Sequence, residues 1–242
     1  MFDKLLDFDC TVIVWKINLN HLSPDISLYT GVLNEFEIEK SRRFYFHKDR
    51  QRYIQSHAIL RMILGKELGV LPGAVQFTTN PYGKPYINSD GQQPGLFFNI
   101  SHSQTGLLIA LCRGIECGVD IEYQRDDFPS DEIAERFFSK KEFEVYKALP
   151  ESQKIEAFFN CWTRKEAFIK AKGMGLSIPL DSFDVSLVPG DKVRLIDSRL
   201  EPDDVKKWSL DHVDTWFRYS AAICAKCSTM NIVYGEWPQL NM

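Results

Sequence analysis

Nowhere in its 242 residues does the chain hold an apolar run long enough to span a bilayer. The first ten residues carry Asp3, Asp7 and Asp9 and lack the basic n-region of an export signal, so a cytoplasmic protein away from membranes is expected. Positive charge is not in excess. Lysine and arginine number 29 against 33 acidic residues, a net charge of −4, whereas a nucleic-acid binder is usually basic overall. No low-complexity linker and no repeat divide the sequence. Cys224 and Cys227 form a C-x-x-C pair, but a zinc or redox site would want a second pair or a βαβ context, and neither is there. The six cysteines read as small buried hydrophobes, with no disulfides expected in a reducing compartment.

What is present suits a globular protein: 44% hydrophobic and 26% charged residues, at a length that allows one large domain or two small ones. The basic residues are uneven. Lys40, Arg42, Arg43, Lys48, Arg50, Arg52 and Arg61 crowd one stretch with only Asp49 against them, which fits a compact anionic ligand, or else a solvated helix face. Helical periodicity predicts helices at 34–45, at 50–68 (stopped by Gly69), at 131–138 and at 156–172 (stopped by Gly173 and Gly175). Ser139 and Glu142 have capping-box spacing and should open another. Strands are expected at 12–19, 75–79, 96–100, 107–111, 118–122, 182–188, 193–197, 208–212 and 219–227, with a polar break at 101–106. Helices and short strands mixed through both halves make the class α+β, with halves 1–114 and 115–242.

Two segments break local rules. In the helix after Glu156, the stripe of Ile155, Phe158, Phe159, Trp162 and Ile169 should face the core, yet Glu166 falls inside it. A carboxylate there needs a partner: Lys170 one turn on, a metal ion, or a ligand. In the strand Gly118-Val-Asp-Ile-Glu122, Val119 and Ile121 point one way while Asp120 and Glu122 point the other, roughly 6.5 Å apart. Either that face meets solvent or a cation sits between the charges. Three convergent carboxylates without histidine or cysteine suit Mg²⁺ better than zinc.

Four motifs in order carry a resemblance: Phe98-Asn-Ile-Ser-His-Ser103, Gly118-Val-Asp-Ile-Glu122, Phe137-Phe-Ser-Lys-Lys-Glu142 and Trp162-Thr-Arg-Lys-Glu-Ala-Phe-Ile-Lys170. Together they resemble the 4'-phosphopantetheinyl transferases. The earlier Arg42-Arg-Phe-Tyr45 and Tyr82-Gly-Lys-Pro85 resemble the long, surfactin-type members, and the likeness runs from about residue 40 to 185. It implies two similar α+β halves packed as an intramolecular pseudo-dimer, with coenzyme A and magnesium in the cleft between them. A second subunit is then unnecessary and a monomer is expected.

Matched by motif, the resemblance makes Asp120, Glu122 and Glu166 the metal ligands, with Glu166, Lys170 and Glu122 in the catalytic set. Ser101, His102, Lys84, Lys40, Arg52, Asp120 and Lys170 would hold coenzyme A. The family pattern often has a further lysine three residues before Lys40; this chain has Glu37, leaving Lys48 or Arg50 to make up the contact. The implied reaction moves phosphopantetheine from coenzyme A to a serine of an acyl or peptidyl carrier protein. Glu166 is the expected base and Lys170 stabilises the leaving phosphate. An acidic carrier would dock on the segment 128–147, through Phe137, Phe138 and Lys140. Competing readings are a coenzyme A-binding module without catalysis and a magnesium-dependent phosphoester hydrolase.

Overall fold

The structure, a computed structural model, describes residues 10–88 and 95–237. The N-terminal stretch read as lacking an export signal lies outside the described residues except for Cys10. No helix among those described is long and apolar enough to cross a membrane.

Two sheets stand face to face, each backed by one long helix. The first sheet has the order β11-β1-β5-β4, built from β1 (Thr11–Asn18), β4 (Leu96–Ser103), β5 (Gly106–Arg113) and β11 (Asn231–Gly235). The second is β6 (Cys117–Tyr123), β10 (Tyr219–Ala225) and β9 (Ser209–His212), in the order β6-β10-β9. Two small ribbons complete the strands: β2 (Phe77–Thr79) with β3 (Pro85–Ile87), and β7 (Phe183–Val185) with β8 (Leu195–Ser198). The helices are α1 (Ser27–Thr30), α2 (Glu35–Arg42), α3 (His47–Leu68), α4 (Ser130–Phe137), α5 (Lys140–Ala148), α6 (Glu151–Lys172) and α7 (Asp204–Lys207).

Strand alternation explains the layering. Ile13, Trp15, Ile109 and Leu111 of the first sheet pack on Ile59, Leu60 and Ile63 of α3. The opposite faces, Val12, Val14, Leu108 and Ala110, meet Val119, Ile121, Ala221 and Ile223 of the second sheet. Ala222 and Cys224, on the far side of that sheet, pack with Ala167 and Ala171 of α6. With both faces covered, β5 needs no polar alternation, so Leu107–Leu111 is apolar throughout.

The expected α+β class is what the fold contains. Three of the differences from the sequence reading bear on the layout of the sheets and the site. Residues 101–103 continue β4 rather than breaking it, and the hairpin turns at Gln104 and Thr105. Helix α6 starts at Glu151, a turn earlier than its apolar stripe suggests, after Pro150. A strand not foreseen, β11, returns from the second half of the sequence to pair in parallel with β1 in the first sheet. A cut at residue 114 therefore separates β11 from the sheet it completes.

The helix ends follow their local chemistry. Asn34 and Glu37 close a capping box on α2, Ser139 and Glu142 on α5, and Gly69 and Gly173 end α3 and α6 in left-handed conformations.

Candidate active site

Strand β4 is the edge of the first sheet, and it runs beside β6 without a backbone ladder. Side chains bridge them instead. Asn99 Oδ1 accepts from the Val119 N–H at 2.8 Å, and Ser103 Oγ accepts from the Tyr123 N–H at 3.1 Å. Ser103, which fell in the expected polar break, is thus an edge-strand residue whose partner lies 20 positions further on.

On the other side of β6 lies α6, and Gly118 sets how close it comes. A Cβ there would fall inside the backbone of Ala167 and Ala171. That contact brings Glu166 and Lys170, one helical turn apart, over Asp120 and Glu122. Lys170 Nζ lies 2.5 Å from Asp120 Oδ1 and 3.1 Å from Ser101 Oγ, and Ser101 Oγ donates to the same Asp120 oxygen at 2.8 Å. Asp120 is buried, and its Oδ2 has no hydrogen-bond partner. Glu122 accepts from Ser103 Oγ at 2.8 Å.

The electrostatics follow from crowding like charges in a cleft. Burial pushes the Glu166 carboxyl up to about 7; the charges of Asp120 and Glu122 add to the rise and Lys170 opposes it. Burial and Asp120 also raise Glu122, against the pull of Ser103 and Lys170. For Lys170 burial works against the ammonium, but Asp120, by charge and hydrogen bond, holds it above its ordinary value.

Among the described residues, no three histidine, cysteine or acidic side chains stand close enough together to hold a metal ion as they are. The expected Asp120, Glu122 and Glu166 set is therefore gathered electrostatically but not assembled, because Lys170 already occupies one oxygen of Asp120. Its chemistry nonetheless fits a hard divalent cation: every donor is oxygen, one buried carboxylate oxygen is orphaned, and the three charges repel one another.

The other face of β4 opens on a pocket of about 400 Å³. Phe98 and Ile100 of β4, Pro85 of β3, Lys40 of α2, and Tyr53 and His57 of α3 line it. Lys40 lies over the Tyr53 ring at 5.5 Å. His102, two residues on from Ile100, lies near enough to both His57 and Lys170 for their charges to act on it. Desolvation in the cleft lowers its imidazole, although part of the ring reaches solvent, and His57, Lys170 and Arg52 push the same way. Arg52 itself holds Asp49 at 3.4 Å.

Lys84, expected from the resemblance to hold coenzyme A, has protein partners in this structure. Its ammonium is buried and donates to the carbonyls of Cys117 at 3.0 Å and Ala171 at 2.9 Å. Asn80 Nδ2 donates to the Gly173 carbonyl at 2.6 Å beside it. The Asn80–Pro85 turn thus clamps the C-terminal end of α6, where carbonyls are free to accept. A Cβ on Gly173 would come within 2.9 Å of Lys84 Cδ, so glycine is needed here for space as well as for its φ of 71°.

Sequence reasoning also left several motif charges without their structural role. Lys165 is fully buried, 2.7 Å from Glu142 Oε2 and donating to the carbonyls of Leu180 and Phe183. Arg164 donates to the Ser186 carbonyl at 2.7 Å. Phe138, proposed for carrier docking, stacks on Phe158 in the core, while Phe137 packs edge-on against Trp162 and Lys140 is exposed. Neither Lys48 nor Arg50 lines the pocket, whereas His57 does. Its one sequence signal is its place, one helical turn after Tyr53.

Comparison with known proteins agrees with this architecture. Residues 20–113 match the model of the 4'-phosphopantetheinyl transferase N-terminal family, and residues 116–224 match that of the 4'-phosphopantetheinyl transferase superfamily. The 4'-phosphopantetheinyl transferase HetI of a Nostoc species is 37% identical over 182 residues, 75% of this chain and 76% of its own. The 4'-phosphopantetheinyl transferase Sfp of Bacillus subtilis is 36% identical over 189 residues, 77% of this chain and 79% of its own. The chain belongs to the 4'-phosphopantetheinyl transferases and is an enzyme of that type. Its likeness to Sfp over most of both chains groups it with the long members of the family.

Proposed function

We propose that this enzyme transfers the phosphopantetheine arm of coenzyme A to a serine hydroxyl of an acyl or peptidyl carrier protein, with magnesium. The observation that carries this reading is the cluster of Asp120, Glu166, Lys170 and Ser101, with a pocket lined by Lys40 and His57 on the other face of β4. The serine oxygen attacks the β-phosphorus of coenzyme A, the bond to the adenosine bisphosphate breaks, and the serine proton goes to a base. Glu166 is suited to that step, because a carboxyl near 7 is a stronger base than an exposed one and is still ionised in part at neutral pH.

Lys170 acts as a fixed positive charge. Held above its ordinary value, it is a poor proton donor and a good stabiliser of charge on the departing phosphate. Ser101 orients Lys170 and Asp120. Asp120, Glu122 and Glu166 would hold the magnesium ion, which when bound neutralises charge building on the pyrophosphate. The nucleotide end of coenzyme A would lie in the pocket against Tyr53, Phe98 and Ile100, near Lys40, Arg52 and His102.

The serine-bearing helix of the carrier would approach over Tyr123, Arg125 and Phe128. These residues, with Phe158, Phe159 and Trp162, line a second cavity of about 350 Å³ that also reaches Glu122 and Ser103. An acidic partner matches the exposed Arg125, Arg136 and Lys140 along this edge.

Intact mass spectrometry of an apo carrier protein incubated with the enzyme, coenzyme A and Mg²⁺ tests the proposal. A gain on the order of 340 Da that EDTA abolishes is expected from metal-assisted transfer of the arm. Unchanged carrier mass across acyl and peptidyl carriers, with coenzyme A bound, would leave a binding module instead.

A further inference from the structure

Coenzyme A carries negative charge in two places: the pyrophosphate that reacts and a phosphate on the 3'-oxygen of its ribose. On the reading above, the reacting end lies at Asp120, Glu166 and Lys170. The cations that remain in the cleft collect at its other end, in and beside the pocket, and Glu37 lies among them.

That carboxylate is not free to repel a ligand. Glu37 is buried, its Oε2 takes the Arg61 Nε–H at 2.6 Å and the Asn34 N–H at 3.0 Å, and Arg61 has no solvent exposure at all. Its Oε1 lies 3.4 Å from His57 Nδ1. Tyr53 packs on His57 with the rings tilted by 34° and their centres 4.1 Å apart, so the imidazole is held from two sides. With Nδ1 turned to Glu37, Nε2 is the ring nitrogen left for a ligand.

We propose that His57 is a specificity-determining residue, binding the 3'-phosphate of coenzyme A from α3, with Glu37 as its positioning residue. With Nδ1 held by Glu37, the ring presents Nε2 to the pocket, where a phosphate oxygen is a fitting hydrogen-bond partner. The pair thus places a phosphate contact on α3, across the pocket from Lys40 of α2. This inference rests on the coenzyme A reading of the pocket.

Calorimetric binding of coenzyme A and of 3'-dephospho-coenzyme A to the wild type, His57→Asn and His57→Arg separates the outcomes. The wild type should prefer coenzyme A. His57→Asn should lose about tenfold or more of its affinity for coenzyme A and little for the dephospho form, the scale of a charge-assisted hydrogen bond. His57→Arg should restore the preference. Thermal melts check that each variant folds, and His57→Gln serves if His57→Asn does not. A preference kept by the neutral variant, an equal loss for both ligands, or no preference in the wild type would each overturn the proposal. A failure of carrier modification in the mass assay would instead count against the reaction, because the binding experiment needs no carrier.

Discussion

Two lysines five positions apart on α6 have opposite duties. Lys165 is sealed in the core against Glu142, while Lys170 faces the cleft beside Asp120. Lys165→Met leaves the buried Glu142 carboxylate unpaired and should destabilise the fold by about 3–5 kcal/mol, read from urea unfolding. Lys170→Met should instead remove most of the transfer rate at saturating substrates while the protein stays folded. Glu37 gives a pH signature. Burial alone would raise its carboxyl, but hydrogen bonds from His57, Asn34 and Arg61 outweigh that and hold it below its ordinary value of 4.5. A depressed carboxylate stabilises the fold above its unfolded value and loses that contribution as pH falls through the folded one. Glu37→Gln should therefore be less stable than the wild type at neutral pH, by about 3 kcal/mol if the Arg61 pair is lost, with the gap closing in acid below about pH 4.5. Denaturant melts at several pH values check both the size and the sign.

Among the elements, the contact of β6 with α6 governs the chemistry. Gly118→Ala should push the helix off the strand, cost about 1–3 kcal/mol in thermal unfolding, and slow transfer by more than that loss of stability explains, since Lys170 and Glu166 would move from Asp120. Much of this level could be read in the sequence. The alternation of Val119 and Ile121 with Asp120 and Glu122, the misplaced charge of Glu166, the Ser139 capping box and the glycine stop at Gly173 are local signals, and the structure has each of them. What stayed hidden depends on distant partners. Ser101 and Ser103 look like loop residues until β6 supplies their hydrogen bonds, and Lys84 looks like a solvated turn residue until the end of α6 covers it. Glu37 and His57 sit on different helices, and no periodicity in either one announces their pairing.

At the scale of the molecule, β11 ties the second half of the chain into the first sheet, while the two sheets themselves are bridged by side chains rather than by a shared ladder. Lys84 reaches from the first half to two carbonyls of the second, so Lys84→Met should lower the unfolding midpoint, with a loss of about 1.5–3 kcal/mol for hydrogen bonds from a charged donor. A phosphate ligand would behave differently, since its loss would weaken coenzyme A binding and leave the melting of the free protein unchanged. Calorimetry with and without coenzyme A distinguishes the two. The parallel pairing of β11 with β1 bears on how the chain is made as well as on how it stands. During synthesis β1 emerges early and finds β5 about a hundred residues later, but its other edge stays open until the last strand leaves the ribosome. That edge, Val12 to Trp15 among its residues, is apolar and sticky for all that time. The nascent protein is thus a client for whatever shields exposed strand edges, until its final strand closes the sheet.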